Sequence, residues 1–137
     1  VSGGRVAGMY KPFAPPWHRL WPALWWLAVI AVVVLSLVPT PQMDLPRDSD
    51  KVQHVLAYAV LAAAAVQVFR SGRALLVAAI GLVSMGVLLE FVQGAATTYR
   101  MADPADALAN ALGVALGLST ALSPWRDALL RWSGGRG

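Results

Sequence analysis

Asp50, His54 and Tyr58 recur every fourth residue, and Lys51 stands three before His54. On a helix these positions share a face, so an imidazole would sit one turn from a carboxylate and one turn from a phenol. Counted from Asp50, His54 lies about 6 Å along the axis and Tyr58 about 12 Å, at 1.5 Å per residue. A histidine so flanked suits general acid–base chemistry, and Lys51 adds a cation that suits an anionic group. Further along, Glu90 and Gln93 are three apart, and Gly86, four before Glu90, leaves that face open to a neighbouring helix. A neutral Glu90 can donate a proton and an ionised one can accept it. Arg100 then precedes a stripe in which Asp103, Asp106, Asn110, Gly113 and Gly117 are spaced 3, 4, 3 and 4. The first part of the stripe is polar, and its second part, Gly113-x-x-x-Gly117, lets helices pack closely.

Architecture alone accounts for part of this pattern. Asp103 followed by Pro104 is a helix start, Asp as N-cap and Pro as first helical residue. Asp50 and Asp106 suit the positive end of a helix dipole, and Tyr58 suits an interfacial anchor. Neither capping nor the dipole explains Asn110, about two turns in, whose amide needs a partner away from water. Asn110 is therefore expected in a buried network.

The elements that must position these residues are apolar. Of 137 residues 58% are hydrophobic and 13% charged, about half the charged share of soluble domains. Four stretches are long enough to cross a bilayer, at residues 21–38, 52–69, 74–92 and 104–122. The expectation is an all-α, polytopic transmembrane helical bundle over 21–122, with an N-terminal segment at 1–20 and a tail at 123–137. The first stretch follows Arg5, Lys11 and Arg19 as a signal peptide would. It is long for one and lacks a small-x-small cleavage site, so it is read as a retained helix. Zero cysteines exclude a disulfide framework and thiolate chemistry. The basic residues are scattered beside the spans, which argues against nucleic-acid binding.

Orientation follows lysine and arginine. Arg5, Lys11, Arg19, Arg70, Arg73, Arg126, Arg131 and Arg136 fall on one side, and Arg47, Lys51 and Arg100 on the other. Both termini are thus expected in the cytoplasm, with the polar residues of the last three spans at the outer end. Trp17, Trp21, Trp25, Trp26, Trp125 and Trp132 read as an interfacial aromatic belt.

The series Ser36-Leu-x-Pro39, Asp50-Lys51-x-x-His54-x-x-x-Tyr58-x-x-Leu61, Glu90-x-x-Gln93 and Arg100-x-x-Asp103-x-x-Asp106-x-x-x-Asn110-x-x-Gly113-x-x-x-Gly117 resembles the VanZ-like family of small bacterial membrane proteins. The resemblance covers roughly residues 36–117. It implies a multi-pass protein of the bacterial plasma membrane, in a family named for a member of glycopeptide-resistance clusters and associated with reduced teicoplanin susceptibility. It supplies no biochemical activity.

Several functions fit these residues. In an enzyme acting at the outer leaflet, His54 and Glu90 would form an acid–base pair, with Asp50 or Asp106 orienting His54. Lys51 or Arg100 would hold an anionic headgroup. No G-x-S-x-G and no cysteine supplies a nucleophile. In a binding protein the same pocket, with Asp50, Lys51, Tyr58, Gln93, Arg100, Asp103 and Asn110, would hold a membrane lipid, a lipid-linked envelope precursor or a glycopeptide. Transport through the bundle would need a polar path, yet the stripe stops about halfway. No HExxH or Cys/His spacing points to a metal, and no cofactor is implied. A purely structural polar lock is the remaining reading.

Overall fold

In a computed structural model, described for residues 8–38, 49–96 and 104–134, each apolar run is a helix. α1 spans Trp17–Leu37, α2 Ser49–Val68, α3 Arg73–Ala96 and α4 Pro104–Leu118, with α4 prolonged by a 3-10 turn at Ser119–Leu122. A short α5 follows at Ala128–Trp132. All four main helices are long and apolar enough to cross a membrane, and no strand occurs among the described residues.

Local chemistry sets the boundaries. α1 starts at Trp17, four residues earlier than its hydropathy suggests, directly after Pro15-Pro16, which cannot extend a helix upstream. His18 and Arg19 lower the apolar score of that first turn without opposing a helix. α2 and α3 are joined through residues 69–72, where Gly72 takes φ +95°, a left-handed conformation that costs glycine little.

Along the bundle the core is small and apolar: Leu61, Ala62, Ala65 and Val66 of α2 meet Leu75, Ala78 and Leu82 of α3 and Val114 of α4. The outer faces are apolar too, with Leu27, Leu35, Val60, Leu88 and Leu108 all more than half exposed. Helices apolar on every side suit a hydrocarbon surround and not water.

The most extensive packing joins α2 to α4. A Cβ on Gly113 would collide with the Val55 carbonyl oxygen, and one on Gly117 with the Ala59 carbonyl oxygen. The Gly117 position would also come within 2.6 Å of Ala62 Cβ and 2.7 Å of the Ala63 nitrogen. The two backbones touch because neither glycine has a side chain.

One end of the bundle is a clasp. The Lys11 N–H donates to Val68 O at 2.9 Å and the Arg70 N–H to Met9 O at 2.9 Å, so the chain before α1 lies along the α2–α3 connection. Gln67 donates to Trp125 O at 2.9 Å and accepts from the Leu129 N–H at 3.1 Å, seating the chain that follows α4. Lys11, buried, donates to Arg126 O at 2.5 Å and pairs with Asp127 at 2.9 Å.

Tryptophans also tie this end together, which departs from a purely lipid-facing belt. Trp25 is 5% exposed, packs edge-on against Phe69 at 4.9 Å and donates its indole N–H to Leu61 O at 3.0 Å. It lies four residues after Trp21, on the inward stripe of α1, and the Leu61 carbonyl satisfies its polar edge there. Trp17 stacks on Trp21 at 4.9 Å, and Trp132 meets Trp17 at 5.5 Å while keeping an exposed face, as Trp125 does.

Gly113→Ala and Gly117→Ala should each cost about 1–3 kcal/mol, because a methyl group there must push two backbones apart. Gly81→Ala, whose Cβ would meet nothing within 4 Å, should change stability by less than about 0.5 kcal/mol. Unfolding of the purified variants in one detergent measures all three.

The clasp gives a pH dependence as well. The hydrogen bond from Lys11 holds the Asp127 carboxyl below its ordinary value of 3.8, helped by the charges of Lys11, Arg126 and Arg131 and opposed by partial burial. A depressed pKa stabilises the fold above the unfolded value, and that share is lost as pH falls through the folded value. The stability gap between wild type and Asp127→Asn should be constant above about pH 5 and narrow on further acidification. A gap that widens with acid would contradict this.

Candidate functional site

At the opposite end, three helices bring polar side chains together. The start of α2 carries Lys51, His54 and Tyr58, the end of α3 carries Glu90 and Gln93, and the start of α4 carries Asp106 and Asn110. Tyr58, Glu90, Gln93, Asp106 and Asn110 are all buried. Polar groups at this depth require partners from neighbouring helices.

His54 and Asn110 form the centre. His54 Nδ1 lies 2.8 Å from Asn110 Oδ1. An amide oxygen only accepts, so Nδ1 carries a proton in this contact, and in the neutral form of the ring Nε2 would be the acceptor. The contact depends on the α2–α4 approach, since Gly113 is one turn beyond Asn110 on the same stripe. It depends on Gly86 of α3 as well, where a Cβ would lie 3.0 Å from both Cβ and Nδ2 of Asn110. Gly86 thus gives the asparagine its seat.

Around this centre, Lys51 Nζ stands 3.8 Å from Asp106 Oδ1, an ion-pair separation too long for a direct hydrogen bond. The Gln93 amide donates to Ser36 O at 2.6 Å, fastening α3 to the end of α1. Ser36 directs its own hydroxyl to Val32 O at 2.6 Å. Glu90, 6% exposed, lies near Tyr58. The Tyr58 hydroxyl is buried and has no hydrogen-bond partner among the described residues.

An open cleft of about 330 Å³ lies beside the cluster, between α1 and α2. Its walls are Val32, Leu35 and Ala57, and its polar groups are Ser36, Gln53, His54 and Tyr58. One wall is hydrocarbon and the other can exchange hydrogen bonds, which matches an amphiphilic molecule.

The sequence-derived candidates are therefore distributed as follows. His54, Tyr58, Asn110, Glu90, Gln93, Lys51, Asp106 and Gly86 gather at one end, and Gly113 and Gly117 lie deeper on the α2–α4 seam. Arg100, Asp103 and the side chain of Asp50 lie outside the described residues. Among the described residues His54 is held by Asn110, and Asp106 pairs with Lys51. Among the described residues no three of His, Asp and Glu gather closely enough to hold a metal ion. The candidate set omitted Gln53, which helps line the cleft. Its place beside His54 was the only signal, because it lies off the stripe that holds Asp50, His54 and Tyr58.

The His54–Asn110 bond should appear as a coupling. His54→Ala, Asn110→Ala and the double variant should give an interaction of about 0.5–1.5 kcal/mol in a double-mutant cycle of unfolding in detergent. Strict additivity would show that the two side chains do not meet.

No family model, curated protein or solved structure matches this chain.

Proposed function

We propose that this chain is a VanZ-like integral membrane protein of the bacterial cell envelope, whose α1–α2 cleft binds the headgroup of an envelope lipid or lipid-linked precursor. The observation that carries the reading is the cleft itself. Apolar walls and a polar side holding His54 and Tyr58 occur together at the ends of helices long enough to cross a bilayer. A lipid-like molecule has the same division between tail and headgroup, and it reaches such a cleft from the side, through the membrane.

The arginine and lysine distribution favours the clasp end in the cytoplasm, because Arg19, Arg70, Arg73, Arg126 and Arg131 all flank it. The polar cluster then faces outward, toward the envelope. A carboxy-terminal reporter fusion active only in the cytoplasm should be active. The apolar core between the two ends supports binding over conduction, since Leu61, Val66, Leu82 and Val114 fill the space a proton or solute would cross.

Acid–base catalysis on the bound molecule is a second reading, favoured by one specific observation. With Nδ1–H held by Asn110, the neutral form of His54 would present Nε2 as a positioned base, the arrangement general-base chemistry needs.

Protein purified from its native membrane should carry a specific envelope lipid that mass spectrometry identifies. His54→Ala should lose that lipid while accumulating in the membrane normally, and Gly81→Ala should keep it. The same lipid profile in wild type and His54→Ala would refute the proposal.

A further inference from the structure

Tyr58 holds a polar atom that the architecture does not use. The residue is 2% exposed, yet its hydroxyl finds no hydrogen-bond partner among the described residues. Elsewhere at this end His54 meets Asn110, Gln93 meets Ser36 and Lys51 faces Asp106. A phenol needs no hydroxyl to fill space, and phenylalanine would pack α2 against Gly113 with the same ring. Burying a hydroxyl without a partner is unfavourable, so an acceptor that arrives from outside the chain would relieve that cost.

The surroundings indicate what that acceptor is. Tyr58 lines the α1–α2 cleft together with His54 and Gln53, and among the described residues no carboxylate lines it. Val32 and Leu35 supply the apolar side. An incoming group that only donates hydrogen bonds, or does neither, would leave the phenol unsatisfied. A headgroup oxygen would accept its proton, and the Gln53 amide can supply a second donor to the same headgroup.

We infer that Tyr58 is the headgroup-reading donor of this cleft, and that the bound amphiphile presents an oxygen acceptor to its hydroxyl. This rests on the cleft's being a lipid-binding site and adds what that site recognises. Phosphate oxygens and sugar oxygens share the required chemistry. A quaternary ammonium headgroup lacks it.

The test uses full-length protein held in amphipol, with thermal stability read during titration by dodecyl phosphate, dodecyl maltoside or dodecyltrimethylammonium. One or both of the oxygen-bearing amphiphiles should raise the melting temperature of wild type, and the arm that does so identifies the source of the oxygen. Dodecyltrimethylammonium should bind at least tenfold more weakly. Without ligand, Tyr58→Phe should melt no lower than wild type, and its affinity for the oxygen-bearing amphiphile should fall at least tenfold. Leu35→Trp, which fills the cleft from an exposed position on α1, should block binding while leaving the Tyr58 hydroxyl in place.

A Tyr58→Phe variant that is destabilised but binds normally would overturn the inference, making the hydroxyl a structural group. Equal binding of dodecyltrimethylammonium would overturn it as well. Binding that is lost in His54→Ala and Leu35→Trp yet unchanged in Tyr58→Phe would leave the cleft standing and remove only this role. If no amphiphile shifts wild type, both the cleft's function and the role of Tyr58 fall together.

Discussion

Contact between the backbones of α2 and α4 is the constraint on which the rest of this structure depends. In a hydrocarbon surround, apolar side chains gain little by leaving lipid for one another, so helix association relies on close packing and on polar groups that find partners. Gly113 and Gly117 permit the first by bringing α4 against the carbonyls of Val55 and Ala59. One turn earlier on the same stripe, that closeness puts Asn110 within 2.8 Å of His54. A bulkier residue on the seam would therefore act on the polar site without touching it. Packing and site chemistry are two consequences of one approach distance.

The bundle's two ends use polar residues differently. At the clasp, hydrogen bonds run mostly from side chain to backbone: Gln67 holds both Trp125 and Leu129, and Lys11 is shared between Arg126 and Asp127. Such bonds fasten chain segments and leave little chemistry available. At the other end the side chains meet one another, His54 with Asn110 and Lys51 with Asp106, in a region flanked by an open cleft. Side-chain pairs keep unused valences. The imidazole retains Nε2, and the Asn110 nitrogen lies beside Gly86.

Much of the arrangement was legible in the sequence because helical periodicity is a local property. The 3, 4, 3, 4 spacing from Asp103 to Gly117 puts Asn110 and both glycines on one stripe, and the four-residue repeat puts His54 and Tyr58 on another. What periodicity cannot supply is the rotation of one helix relative to its neighbour. That rotation decides that Asn110 and not Asp106 orients His54, and that Trp25 turns inward to the Leu61 carbonyl while Trp125 stays exposed. It also joins Gln93 to a backbone carbonyl of Ser36, fifty-seven positions away in sequence, a contact no residue-type pattern announces. The clasp was illegible for a related reason: Lys11 and Asp127 are separated by nearly the whole chain and sit in segments with no period at all.

A buried polar cluster by itself does not distinguish a structural lock from a binding site, because both need internal partners. The distinction lies in how the satisfied and unsatisfied groups are placed. A lock gains most when each buried donor is matched within the protein, and an unmatched phenol in its midst is a net loss. Here the matched pairs tie helices to one another, whereas the unmatched Tyr58 hydroxyl belongs to a residue that also lines the cleft between α1 and α2. α1 is the least buried of the four long helices, and Trp25 and the Ser36–Gln93 bond are among its ties to the rest. The cleft lies between this least buried helix and α2, apart from the close α2–α4 contact. The α2–α4 seam holds the histidine, and the same histidine lines the cleft.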